Sequence, residues 1–283
     1  MRANQLYEHL EKDFIKPRIS DDWAQHMDSI ADFLSDNFKK RSMGLVCDFA
    51  TKINKVYTAV FPSKKVMQKI IDNNPAEAML FVHHPAIWDI RKTPNVFQQM
   101  NRNLLKQFME RKISIYNLHT PLDNFGGYST TVSLAKALEI SSEKPFAPYS
   151  GAMSGIFGKT NAATVQKLKN KFEAAVGHRV SLYPYGEKKI KNKAVALIAG
   201  GGNDVDFLKE VAEAGINIFV TGISVKNDHS KKVHEFAEKY KINILGGTHY
   251  STEKFACISM VNYFKEKGLP SEFIEDRPIM EDM

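Results

Sequence analysis

Three short stretches of the chain concentrate side chains able to ligate a metal ion. In FVHHP (81–85), two adjacent histidines, His83 and His84, end an apolar run. In YNLHTPLDNFGG (116–127), His119 closes a second such run and Asp123 follows four residues on. In GGTHYSTEKFA (246–256), His249 precedes Glu253 by four residues. Imidazole and carboxylate donors together suit divalent ions such as zinc, iron, manganese and cobalt. Each stretch also has an ordinary reading. An HH pair can be one core and one exposed histidine, and aspartate is common in turns. A glutamate after Ser or Thr at a helix start often completes a capping box. Jointly they supply three imidazoles, two carboxylates and the spare His119, about what two neighbouring ions need with one carboxylate bridging. Two divalent cations against two carboxylates leave excess positive charge, which favours an anionic, phosphorylated substrate. His119 is read as a proton carrier, an orienting partner or a ligand.

Side chains at such positions need rigid elements beneath them, and hydrophobic periodicity supplies these. Leu6, Leu10 and Phe14 predict an opening helix. After Pro17, the stripe Trp23, Met27, Ile30 and Leu34 predicts another, with Ser20 and Asp21 as caps. Strands are expected at 56–62, 78–84 and 113–119, and helices at 64–73, 94–112 and 130–138. The Pro-, Ser- and Gly-bearing stretch 141–153 reads as a boundary loop. A second alternating series follows: SGIFGK, a helix over 162–175, HRVSLYP, AVALIAG, a helix over 204–214, NIFVTG, a helix over 230–240, and INILGG. TEKFACISMVNYFKEKG closes as a helix, and EFIEDRP is expected to add an edge strand. Such alternation implies an α/β fold, each lobe a mainly parallel or mixed sheet covered by helices. All three ligand stretches then fall at strand ends, where open parallel sheets place their sites.

Composition narrows the class. Of 283 residues, 43% are hydrophobic and 25% charged, which is ordinary globular usage, and the length suffices for two lobes. The formal charge of +7 is read as solvated Lys-rich faces. Nucleic-acid binding is a second explanation, without the aromatic–basic interleaving that would support it. Two cysteines, Cys47 and Cys257, form no disulfide framework and fit a reducing cytosol. The charged start MRANQLYEHLEKDF is no secretory signal, and no apolar run approaches the roughly 18 residues a membrane span needs. A cytoplasmic protein is expected. IAGGGND (198–204) lacks nucleotide-loop spacing and reads as a tight strand-to-helix turn. Trp88, Phe125, Tyr128 and Tyr250 flank the ligand stretches as packing or rim residues, and His178, His229 and His234 are read as surface.

At its ligand stretches the chain resembles the GTP cyclohydrolase 1 type 2 homologues, also called NGG-one-interacting-factor-three-like proteins. Their hallmarks appear here as His83-His84-Pro85, His119-Thr120-Pro121-Leu122-Asp123 and Thr248-His249-Tyr250-Ser251-Thr252-Glu253, in matching order and spacing over most of the chain. The resemblance implies a two-lobed α/β fold with a dinuclear site between the lobes. It implies His83, His84, Asp123, His249 and Glu253 as ligands, Glu253 bridging, with two ions of zinc, iron or manganese. It further implies a homohexameric ring and ring-opening hydrolysis of a guanine nucleotide. The rival is a non-catalytic metal-binding or protein-interaction scaffold. Thr248 replaces the usual Gly, MGLVCDF (43–49) stands where NGLQV is usual, and Ile223 replaces an acidic residue in TGISVKNDHS (221–230). The expected division is residues 1–145 with 242–283 as the ligand-bearing lobe, and 146–241 as the second.

Overall fold

A computed structural model describes residues 1–88 and 97–276. It divides into two compact units. Of the described residues, unit 1 comprises Met1–Leu122 and those from Cys257 onward, and unit 2 comprises Asp123–Ala256.

Unit 1 opens with α1 (Ala3–Phe14), which buries Leu6 and Leu10 at their four-residue spacing. The helix expected from Trp23 to Leu34 does not form. The chain instead makes 3₁₀ turns at Trp23–His26 and Asp28–Ile30, then α2 (Asp36–Arg41), capped by Ser35. Trp23, Met27, Ile30 and Leu34 are all buried, so the stripe read burial correctly and helicity wrongly. Asp21 is no cap, because its carboxylate is engaged elsewhere, as described below. There follow β1 (Gly44–Cys47), β2 (Lys55–Ala59), α3 (Lys64–Asp72) and β3 (Ala78–Val82). The short strands β4 (Ile87–Trp88) and β5 (Phe97–Gln98) pair antiparallel. Next come α4 (Arg102–Glu110), β6 (Ile113–Asn117) and the single turn α5 (Thr120–Asp123). The helix expected over 94–112 starts only at 102, where the Asn101 side chain accepts from the Asn103 and Leu104 amides. Residues 97–98 of that span are strand, and 94–96 lie outside the described residues. The expected edge strand in EFIEDRP is β13 (Ser271–Phe273); residues 277 and 278 lie outside the described residues.

The sheet of unit 1 runs β1-β6-β3-β2-β13, parallel except where β1 meets β6. β3 and β6 are buried at every position, as expected of central parallel strands covered on both faces. Leu80, Val82, Leu105, Phe108 and Ile115 pack in its core.

Unit 2 contains α6 (Thr130–Ala137), β7 (Ile140–Tyr149), β8 (Ala152–Thr160), α7 (Val165–Val176), β9 (Ser181–Tyr183) and β10 (Ala194–Ile198). It continues through α8 (Val205–Glu213), β11 (Ile218–Thr221), α9 (Lys231–Lys239), β12 (Asn243–Gly246) and the first turns of α10 (His249–Glu266). Its sheet runs β7-β8-β10-β11-β12-β9, with β10, β11 and β12 parallel and the rest antiparallel. The core gathers Leu134, Leu168, Phe172, Leu197, Phe219 and Leu245.

In sequence the units change over at 122/123 and 256/257. The boundary stretch 141–153 is a hairpin, β7 and β8 paired across Ser150 and Gly151, both at positive φ. β12 lies between β11 and β9. Residues 123–145 and 242–256 therefore belong to unit 2.

Candidate metal centre

In unit 1 the site begins at the carboxyl ends of two adjacent parallel strands, β3 and β6, paired up to Val82 and Asn117. Beyond β3 the backbone stays ordered: the His83 amide donates to the Ala59 carbonyl and the His84 amide to the Val60 carbonyl. Asn117 Nδ2 donates to the His83 carbonyl. The two imidazoles are almost fully buried, their ring centroids 4.3 Å apart. His119 lies just past β6, its ring 4.8 Å from that of His84 and 5.3 Å from that of His83. Each of the three offers a ligand atom, and these atoms lie within 4.8 Å of one another.

Two of the rings are anchored through Nδ1. His83 Nδ1 is 2.9 Å from the Leu118 carbonyl oxygen, and His119 Nδ1 is 2.8 Å from Asp21 Oδ1. An acceptor at Nδ1 makes that nitrogen the protonated one in a neutral ring and leaves Nε2 with its lone pair, the usual arrangement around ligating histidines. Aromatic rings wall the group: Phe61 stacks on His84, and Trp23 stands edge-on to His84 and His119.

In unit 2, β12 ends at Gly246 and α10 begins at His249. The start of α10 is capped reciprocally. The Ser251 amide donates to Thr248 Oγ1, and the Thr248 amide donates to Ser251 Oγ. Ser251, not Glu253, thus completes the capping box. Because the helix starts this early, His249 and Glu253 share one face, with Nε2 and Oε1 3.0 Å apart and both side chains buried.

The glycines of IAGGGND let this carboxylate in. Gly200 sits at φ +70, and a Cβ there would overlap Glu253 Oε1. Its backbone is held on two sides, the N–H donating to Thr252 Oγ1 and the carbonyl accepting from the Gly222 and Ile223 amides. The tight-turn reading holds, with a purpose: the turn leaves room for Glu253. Asp123 accepts from Thr130 Oγ1 at 2.7 Å.

These residues fit a divalent ion chemically. Buried imidazoles with Nδ1 fixed and a buried carboxylate paired to an imidazole are its ordinary donors. A family model described as Duf34/NIF3 (NGG1p interacting factor 3) matches residues 20–277. The chain belongs to the Duf34/NIF3 family. Curated relatives named GTP cyclohydrolase 1 type 2 homolog include one from Pyrococcus horikoshii, 27% identical over 243 residues, covering 84% of this chain and 90% of that protein. One from Borreliella burgdorferi is 27% identical over 241 residues, with the same coverage. The fold of this NIF3 member is shared by protein ybgI, described as of unknown function, at TM-score 0.74 and 20% identity over 99% of this chain and all of that one. Reduced HcgD from Methanocaldococcus jannaschii aligns at TM-score 0.67 and 20% identity, covering 98% of each chain.

Within this NIF3 chain the structure groups His83, His84 and His119 in unit 1 and pairs His249 with Glu253 in unit 2; Asp123 ends α5 and is held by Thr130. His119, expected as a proton carrier, stands within ligand range of the HH pair. Sequence reading missed Asp21 and Trp23, which it spent on a helix cap and a core stripe. The one available signal was the pair Asp21-Asp22 before an aromatic residue, too common to single out. His234, read as surface, is buried, bonded to Tyr185 Oη and the Ser224 carbonyl. Tyr250 is buried and Phe125 exposed. Trp88 forms β4 with Ile87, and among the described residues no helix is long and apolar enough to cross a membrane.

Proposed function

We propose that this NIF3-family protein holds two divalent metal ions through His83, His84, Asp123, His249 and Glu253, and uses them to hydrolyse a small anionic compound. The observation that carries the reading is the anchoring of two imidazoles through Nδ1, the buried His83 on Leu118 and the partly buried His119 on Asp21. Core histidines need no such common orientation; a ligand such as His83 and a proton carrier such as His119 both do. Bound ions would polarise a substrate oxygen as Lewis acids. The chain's own groups do the rest. Glu253 would hold the ions and offset their charge, Phe61 and Trp23 would exclude water from the rings, and His119 would move a proton through Nε2. A phosphate-bearing substrate, a nucleotide by likeness to relatives named GTP cyclohydrolase 1 type 2 homolog, suits the surplus positive charge. Assembly into a homohexamer belongs to the same proposal.

Elemental analysis of protein prepared without a His tag tests the metal, and hydrolysis of nucleotides and phosphoesters tests the reaction. About two ions per chain, lost in Glu253→Ala and His84→Ala, with hydrolysis lost alongside, is the expected result. Unchanged metal content in both variants overturns the site. Full metal content without turnover leaves the scaffold reading standing. Light scattering of the same preparation reads the oligomer.

A further inference from the structure

Asp21 carries a carboxylate whose side chain is only 3% exposed, yet its partners among the described residues are His119 and Thr120, not a lysine or arginine. One oxygen accepts from Thr120 Oγ1 at 2.6 Å and lies 2.8 Å from His119 Nδ1; the other accepts from the Thr120 amide at 3.2 Å. All of these groups belong to two consecutive residues at the end of β6, and one of them is the site histidine. A buried carboxylate is retained only where hydrogen bonds replace its water, and here His119 and Thr120 supply them. Two residues on, Trp23 meets the His119 ring edge-on at 5.1 Å and 89°, and the His84 ring at 5.6 Å and 79°. The segment carrying Asp21 and Trp23 therefore touches the imidazole group at a polar atom and along its ring faces.

We infer that Asp21 is a positioning residue for this centre: it holds His119 in the Nδ1-protonated tautomer and in one ring orientation, so that Nε2 is the atom presented beside His83 and His84. The inference rests on the reading of His119 as part of the metal centre. The chemistry is that of a carboxylate behind an imidazole, where exchanging the carboxylate for an amide leaves the shape and reverses the tautomer, because the amide NH₂ can donate to Nδ1. Thr120 serves as the internal comparison. Its hydroxyl donates to Asp21 at 2.6 Å and reaches His119 Nδ1 only at 3.4 Å, so the 2.8 Å contact of Asp21 is the one that sets the tautomer.

Nitrogen-15 NMR of histidine-labelled, metal-free protein, at a pH of about 8.5 where imidazoles are neutral, reads the tautomer directly. Wild type and Thr120→Val are expected to show His119 protonated at Nδ1, with Asp21→Asn and Asp21→Ala shifting it toward Nε2 protonation. Competition with a chelator for zinc then reads the consequence, an affinity loss in Asp21→Asn of about 10- to 100-fold. Nε2 protonation in wild type overturns the inference, and that measurement stands even if the variants do not fold. An unchanged tautomer in both Asp21 variants, or wild-type zinc affinity in Asp21→Asn, overturns it as well. Wild type that binds no zinc defeats the metal reading instead, and the metal-free spectrum still decides the role of Asp21.

Discussion

Gly200→Ala is the sharpest perturbation the structure offers, because two effects of known size meet at one position. The first is conformational. At φ +70 a residue with a Cβ is strained by about 1–2 kcal/mol. The second is contact. The new methyl carbon would overlap Glu253 Oε1 and lie 3.3 Å from His249 Cδ2. The backbone cannot retreat without breaking its bonds to Thr252, Gly222 and Ile223. The Glu253 carboxylate is then displaced from His249, and metal affinity falls by at least about tenfold. Gly215→Ala separates the two effects, since Gly215 has φ +67 but open space where a Cβ would go. Both variants should lower the melting temperature, by roughly 2–8 °C for this strain. Only Gly200→Ala should release metal. Circular dichroism melts and chelator competition on tag-free protein make the comparison. Wild-type metal affinity in Gly200→Ala, with a melt matching that of Gly215→Ala, refutes the idea that this turn exists to seat Glu253.

Thr130→Val removes the hydroxyl that donates to Asp123 at 2.7 Å; stability should drop by about 1 kcal/mol, read by urea denaturation, and metal affinity should drop with it. Phe108→Ala, in the fully buried core of unit 1, should destabilise by about 3–5 kcal/mol in the same assay. His234 gives a pH dependence. Burial, and secondarily the Lys226 ammonium, lower its pKa from 6.5, so the unfolded chain takes up its proton first as pH falls. The stability linked to this group is present above about 6.5 and is lost as pH drops from there through the lower folded value. Melting curves from pH 8 to pH 5 should show that loss in wild type and a reduced slope in His234→Gln; equal slopes would sink the assignment.

What could be read from the residues was set by the range of each interaction. His249 and Glu253 are four apart on one helix, so their meeting needed only the correct helix start. The strands behind His83 and His119 announced themselves as short apolar runs because both faces of their sheet are covered. Asp21 was illegible, since its partners lie 98 and 99 positions away, and nothing local distinguishes it from a cap. The same limit hid the β7–β8 hairpin. Its outer strand is mostly exposed, so the composition resembled a loop, and only pairing with β8 made it a strand. The stripe from Trp23 to Leu34 shows the converse: period reported burial, while the backbone took up 3₁₀ turns.

The placement of β13 bears on how this chain is made. Ser271, near the end of the sequence, pairs with Val56, and β13 forms one border of the sheet that carries His83, His84 and His119. During synthesis the histidine-bearing strands emerge long before that border strand exists, so the Lys55–Ala59 strand must wait with an open edge while the whole of the second unit is translated. Such an edge is a template for wrong pairing. The strand that seals the sheet beneath the site thus leaves the ribosome only after the chain of the second unit.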